Sequence, residues 1–349
     1  MSKKLSYHVQ QIPEWAKRNN GEKMPDWPSI INPPSTNPWP GRRATGRTYM
    51  DDGPSNDLVA FGTQGAIAWV KHFMDAYKQS PWVYAWRGPN EPPCQTVAER
   101  AAINAFVVKY VELMHDMGLL TAGPDFSTFQ PPHGVAREMK EAILALDIIT
   151  FHEYDQPTMM THEGEGCLRY RKFWAELSAV GIAPKPTIVT ETGLDDGLKH
   201  GWKTFAHGDI PTFVDQLMWY NGEICKDDYL LAADVFTAGP IGWDDFEMTE
   251  PLVDAISQAS AVGTTAVPPP VVPSAPSSAA PTNDEMRQAL YMAVGQHSTW
   301  AFPEYARLHK LGGRVGPEFR AGGWVWQGYA TCIIKAPEGR WDKIVEIPW

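Results

Sequence analysis

An α/β architecture, a (β/α)8 TIM barrel followed by a small β-rich or α+β C-terminal module, is what this sequence predicts, on three observations. Short β-branched or aromatic runs alternate with amphipathic segments over the first ~250 residues, the size that such a barrel needs. Eight strand-like runs can be counted there. No Gly-rich dinucleotide fingerprint follows any of them, which leaves a doubly wound open sheet as the second choice.

Strands are expected near 5–9, 29–31, 46–49, 82–86, 119–123, 147–151, 187–191 and 230–236. Helices are expected near 13–19, 57–78, 97–117, 135–145, 167–180 and 211–225. The clearest is 97–117, where Ile103, Phe106, Val107, Tyr110 and Met114 recur at helical spacing and Gly118 closes the run. Leu119, Leu120, Thr121, Ala122 and Gly123 follow as a short apolar run, the pattern of a strand buried on both faces. The connection over 32–45 is Pro-rich and carries no helical periodicity, so the second βα unit reads as compressed. Residues 266–282 hold six prolines and no charge, a composition that favours extended polyproline-like chain. The sequence therefore divides into a barrel domain (1–265), a Pro/Ser/Ala linker (266–282) and a small accessory module (283–349).

Composition narrows the function. The chain has 349 residues, 43% hydrophobic and 20% charged, enough to bury a large core. A net charge of −11 (30 Lys+Arg against 41 Asp+Glu) argues against nucleic acid as partner, because phosphate binding needs a basic footprint. No apolar run reaches the ~20 residues of a membrane helix. The N-terminus lacks the apolar h-region of a signal peptide. The chain thus reads as cytoplasmic, acting outside only after lysis or loss of a leader. The 4 cysteines have no metal-ligand spacing, and the 10 histidines form no His-Glu-x-x-His pair. A Gly-x-Ser-x-Gly elbow is also missing. No metal or other cofactor is called for.

In such barrels the functional groups stand where strands run into βα loops. The fourth expected strand leads into Arg87-Gly88-Pro89-Asn90-Glu91-Pro92, the sixth into His152-Glu153-Tyr154, the seventh into Glu191 and the eighth into Trp243-Asp244-Asp245. Glu91 and Glu191 would then face one mouth from opposite sides. Two carboxyl groups so placed are the equipment of glycoside hydrolysis, one protonating the leaving oxygen while the other attacks or activates water. Asn90 is suited to hydrogen-bond a sugar hydroxyl.

The segments WRGPNEP (86–92), FHEYDQPTM (151–159), LRYRKFW (168–174), TIVTETGLDDG (187–197) and DVFTAGPIGWDDF (234–246) resemble clan A glycoside hydrolases. This is the 4/7 superfamily of retaining enzymes on (β/α)8 barrels, and the likeness is nearest to family 39-like bacterial and phage sequences. It extends over most of residues 5–250. The resemblance implies that Glu91 is the acid/base and Glu191 the nucleophile, with the carboxyls in the ~5–5.5 Å class of retaining enzymes. It implies that Asn90 contacts the hydroxyl beside the anomeric carbon and that Tyr154 or His152 orients the nucleophile. Trp243 would form the floor under the sugar and Arg47 would neighbour the nucleophile. Aromatic residues such as Trp86, Tyr84 and Trp202 are expected to shape the substrate. The compressed second βα unit departs from the clan.

The C-terminal piece opens with an expected helix at 285–294 and then turns rich in glycine and aromatics. Trp300, Trp324, Trp326, Trp341 and Trp349 fall within it, and the run from Leu311 to Tyr329 is similar to short Leu-Gly-x-Pro modules of bacterial and phage cell-wall proteins. Glycan binding and plain packing both account for its tryptophans. The expectation is a retaining β-glycosidase acting on an oligo- or polysaccharide, a cell-wall glycan among the candidates. Its module would hold it to an insoluble glycan. The competing reading is a non-catalytic carbohydrate-binding or virion protein on a glycosidase scaffold; transglycosylation would use the same residues.

Overall fold

The computed structural model describes residues 4–262, 314–321, 324–329, 332–337 and 345–348. The chain divides into two compact units, Met1–Val267 and Pro268–Trp349. The expected linker and the helix expected at 285–294 lie outside the described residues.

The first unit is a closed barrel of eight parallel strands in sequential order. They are β1 (Leu5–Val9), β2 (Ser29–Ile31), β3 (Thr45–Arg47), β4 (Ala85–Arg87), β5 (Leu120–Phe126), β6 (Ile148–Asp155), β7 (Thr187–Leu194) and β8 (Leu230–Ala238). β8 returns to β1, with Leu5 opposite Ala233, and closes the ring. β1, β6 and β7 are buried at every position, polar members such as Ser6, His8, Thr150 and Thr190 included.

The helices are α1 (Glu14–Lys17), α2 (Asp52–Ala60), α3 (Thr63–Gln79), α4 (Val97–Asp116), α5 (Lys140–Ala145), α6 (Arg169–Ser178), α7 (Trp202–Phe205), α8 (Ile210–Ile224) and α9 (Glu250–Val262). A capping box starts α4: the Glu99 amide donates to Thr96 Oγ1 (3.2 Å) and the Thr96 amide to Glu99 Oε2 (2.8 Å). Asp209 caps α8 through the Thr212 amide at 3.0 Å. The single helix expected over 57–78 is two helices. They break at Phe61-Gly62 and cross so closely that a Cβ on Gly65 would fall 1.6 Å from the Leu58 carbonyl oxygen. α9 had no counterpart among the expected helices.

No helix joins β2 to β3, as the prolines foretold. A strap takes its place, anchored by Trp39, which is fully buried and donates Nε1–H to the Ala16 carbonyl at 2.9 Å. Trp82 Nε1 donates to the Pro34 carbonyl at 2.7 Å and pins its start. Gly21, at φ +77°, leaves room for the strap: a Cβ there would come 2.4 Å from Trp39 Cδ1.

The main core lies between strands and helices and is aromatic. Trp69, Trp86, Trp174, Tyr77 and Phe106 are all fully buried there, and each such side chain contributes roughly 1.5–3 kcal/mol by leaving water. Inside the ring the middle layer is polar instead. Arg87 Nη1 pairs with Asp125 Oδ2 at 3.2 Å, Thr190 Oγ1 donates to Asp125 Oδ1 at 2.9 Å, and Ser29 donates to Asp234. Breaking such a buried pair strands the remaining charge, so this layer fixes the barrel geometry below the mouth.

In the second unit, β9 (Arg314–Ala321), β10 (Trp324–Tyr329), β11 (Cys332–Pro337) and β12 (Val345–Pro348) form an antiparallel sheet in the order β12-β11-β10-β9. Trp326 stands opposite Lys335, whose Nζ lies 4.5 Å from the indole centroid. Ile333 and Ile334 are buried.

Candidate active site

Strand ends at the mouth of the barrel converge on a cavity of about 470 Å³, within the usual range of ligand pockets. Glu91 enters from the loop after β4. Its backbone has φ +41°, a left-handed conformation uncommon outside glycine, and its carboxyl is part exposed at the cavity wall. Asn90 lines the same wall, with Oδ1 buried and without a hydrogen-bond partner among the described residues.

β6 supplies His152 and Tyr154, two residues apart and therefore on one face of the strand. Glu153 between them points the other way. It is fully buried and accepts from the amides of Leu168 (2.7 Å) and Tyr170 (2.9 Å) and from the Tyr220 hydroxyl (2.6 Å). Burial pushes its carboxyl up to about 7 against those hydrogen bonds.

Glu191 reaches the cavity because of a bulge. Along β6 and β7, Phe151 pairs with Val189 but His152 pairs with Glu191, so Thr190 is an extra residue on β7. Thr190 already points inward to Asp125. Strict alternation would turn Glu191 outward, and the extra residue re-aims it to the mouth. There Tyr154 donates its hydroxyl to Glu191 Oε2 at 3.1 Å. His152 Nε2 and His8 Nε2 lie 3.5 and 3.6 Å from Oε1.

His152 also touches the other glutamate, with Nδ1 2.6 Å from Glu91 Oε1. One buried imidazole therefore contacts both carboxyl groups. Burial pushes the Glu191 carboxyl above the ordinary range, opposed by His152 and Arg47. For His152, burial opposes protonation, but Glu191, Glu91 and Asp125 outweigh it and raise its pKa. His8 goes the opposite way: burial, with Arg87 and Arg47 adding to it, depresses it far below the usual range, so it stays neutral.

Arg47, at the end of β3, is 8% exposed and lines the cavity; its Nε has no hydrogen-bond partner among the described residues. Trp243 lies across the cavity, packed edge-on against Phe236 and Phe246 at 5.5 Å each, with Lys199 Nζ 4.6 Å from its ring centroid. Tyr49, Asp51, Asp52 and Asp195 complete the acidic wall. Burial raises the Asp195 carboxyl to about 7.

Three residues expected to shape the substrate are placed elsewhere. Trp86 is wholly buried on the helix side of β4, 4.8 Å from the Tyr77 ring. β4 begins at Ala85, three residues later than expected, and Arg87 rather than Trp86 faces inward. Tyr84 precedes that strand and packs on Trp27 at 4.9 Å, while Trp202 stacks on Phe213 at 5.4 Å. Sequence reasoning missed His8 and Tyr49, and it read Asp195 as a solvated surface acid rather than a cavity residue. The available signal for His8 was a histidine one residue before the end of the first expected strand, where such barrels place functional groups.

Among the described residues no group of His, Cys, Asp and Glu is arranged to hold a metal ion, and no helix is long and apolar enough to cross a membrane.

No protein-family model matches the chain, and no curated protein does. Solved structures do. The GH39 enzyme from Xanthomonas axonopodis pv. citri is 12% identical, with a TM-score of 0.49 over 74% of this chain and 66% of that one. A GH128 (subgroup II) endo-β-1,3-glucanase from Sorangium cellulosum is 13% identical, with a TM-score of 0.42 over 74% and 97%. A glucosidase from Croceicoccus marinus is 11% identical, with a TM-score of 0.41 over 61% and 46%. The chain spans less than half the length of the glucosidase and of some other matched structures. The likeness is one of barrel fold. It extends to several glycoside hydrolase families and is not specific to family 39.

Proposed function

We propose that the barrel is a retaining glycoside hydrolase that cleaves β-linked glycans by double displacement. Glu91 serves as acid/base and Glu191 as nucleophile. The observation that carries this reading is the pair itself: two carboxyl groups from different strand ends line one cavity and contact the same imidazole. Their surroundings differ as the roles require. Glu191 is buried with a phenol donor, a histidine of raised pKa and a guanidinium favouring its charge. Glu91 is more open, where a leaving group and water can reach it.

In the first half-reaction Glu191 attacks the anomeric carbon while the Glu91 side protonates the departing oxygen. In the second, Glu91 takes a proton from water as that water displaces Glu191. Asn90 binds the neighbouring hydroxyl and Trp243 underlies the ring. The sequence segments from 86–92 to 234–246 support the resemblance to clan A enzymes. The lining carries Asp51, Asp52, Asp195 and both glutamates against Arg47, which favours a neutral over a polyanionic glycan. The C-terminal sheet would hold the enzyme to an insoluble or cell-wall glycan.

Reducing-end release from β-glucan, xylan, mannan, chitin and peptidoglycan, with Glu191→Gln alongside, tests the proposal. Activity on one glycan that disappears in the variant is expected. Glycan retention with no reducing ends released would instead support a binding scaffold.

A further inference from the structure

The resemblance places His152 or Tyr154 behind the nucleophile, yet the geometry divides these tasks. Tyr154 donates to Glu191 at 3.1 Å. The hydrogen bond of His152, at 2.6 Å, goes to Glu91, and among the described residues it is the one side-chain partner of that carboxyl. The ring has no exposed side-chain surface, and Nε2 makes no hydrogen bond; its nearest carboxylate is Glu191, at 3.5 Å. We propose that Glu91 and His152 form a single proton-holding unit, in which the acid proton is shared across the short Nδ1···Oε1 contact and governed by the charge on Glu191. This rests on the retaining reading above.

The proton count is explicit. At rest the unit holds one transferable proton, either as a Glu91 carboxylic acid beside neutral imidazole or as a Glu91 carboxylate beside imidazolium. In the first half-reaction the Glu191–C1 bond forms, the glycosidic C1–O bond breaks and the leaving oxygen takes that proton. The unit is left as carboxylate and neutral ring. Glu191, now an ester, no longer carries the charge that favoured imidazolium, so the unit holds protons less tightly and remains available as base. In the second half-reaction water gives the unit a proton, its oxygen bonds to C1 and the Glu191–C1 bond breaks, restoring the starting state.

The groups around the ring fit this use. Asp125 on β5 and Glu191 on β7 favour a cationic His152. Arg47 on β3 and Arg87 on β4 act on the same cluster with the opposite sign, and His8 on β1 stays neutral under their influence. The carboxylates prevail over burial at the ring, so a proton held between Nδ1 and Glu91 is favoured while Glu191 is charged.

The test uses His152→Asn and His152→Gln, which keep an amide donor in place of the ring but cannot accept its proton. For substrates with poor leaving groups, kcat/KM is expected to fall by about 10²-fold or more, with the alkaline limb displaced. For dinitrophenyl glycosides the loss is expected to stay below about tenfold. Equal losses on both substrates, or an unmoved alkaline limb, would overturn the proposal and leave His152 an orienting group. Azide rescue of Glu91→Ala on the dinitrophenyl glycoside checks the underlying reading separately; without rescue, both fall. An activity-independent readout is ¹⁵N-histidine NMR of the full chain. The His152 titration is expected to move to lower pH in both Glu91→Gln and Glu191→Gln. A ring whose shifts ignore both substitutions would also overturn the proposal.

Discussion

Replacing Tyr154 with Phe removes one atom from the site and leaves its shape. The hydroxyl donates to Glu191 Oε2, at 3.1 Å, in a position 7% exposed. The ring contacts with Phe236 and Phe246 survive the change. A hydrogen bond to a charged acceptor in such surroundings is worth about 1.5–3 kcal/mol. That energy favours ionised over protonated Glu191, so at ~1.4 kcal/mol per unit its loss raises the carboxyl by about 1–2 pH units. Burial already holds Glu191 above its ordinary range, and the variant moves further in that direction. The effect has a definite pH signature. The nucleophile must be ionised, so the acid limb of kcat/KM moves to higher pH by about 1–2 units. Once Glu191 is fully ionised, the plateau changes by less than about tenfold, because the charge that received the hydrogen bond is leaving the carboxyl in the transition state. The assay is kcat/KM against pH on an aryl β-glycoside, with a thermal melt confirming the fold. An acid limb that stays in place, or moves to lower pH, would refute the argument.

Three further outcomes follow from the same geometry. Trp243→Ala should cost about 10- to 100-fold in kcat/KM with little change in melting temperature, whereas Trp86→Ala should lower stability by about 3–5 kcal/mol, the cost of emptying a core site; the reverse pattern would place the sugar platform wrongly. Asp234, fully buried and raised to about 8, binds its proton more tightly folded than unfolded. Its contribution to stability is therefore complete below pH ~4 and is lost as pH rises toward 8, so Asp234→Asn should gain on the wild type between pH 5 and 8 by a few kcal/mol at most in chemical denaturation; parallel curves would contradict this. Polyanionic glycans should be poorer substrates than neutral ones of the same linkage, with the gap narrowing in high salt, and a salt-independent ranking would count against the acidic wall.

Much of the barrel was legible because short β-branched or aromatic runs alternate with amphipathic helical segments, and because the prolines over 32–45 exclude a helix. β4 was not: Trp82-Val83-Tyr84 has strand composition, but Val83 donates to the Ser80 carbonyl in a turn, and pairing starts only at Ala85. That shift turned Trp86 from an expected cleft residue into core. Trp202, also expected at the cleft, is core as well. Trp39, Trp69, Trp86, Trp174 and Trp202 pack the barrel against its covering layers, and Trp243 alone of the described tryptophans lines the cavity. Both glutamates could be nominated from their strand-end positions. The extra residue at Thr190 that turns Glu191 inward could not, because a bulge is a property of pairing between two strands and leaves no mark on either alone.

The most direct test of the central claim is covalent trapping. Incubation with a panel of 2-deoxy-2-fluoro β-glycosides bearing dinitrophenyl leaving groups, followed by peptide mass spectrometry, should place one sugar on the peptide containing Glu191. Glu191→Gln should remain unlabelled. A hydrolysing enzyme that forms no adduct, or carries it on another residue, would contradict the assignment of Glu191 as nucleophile.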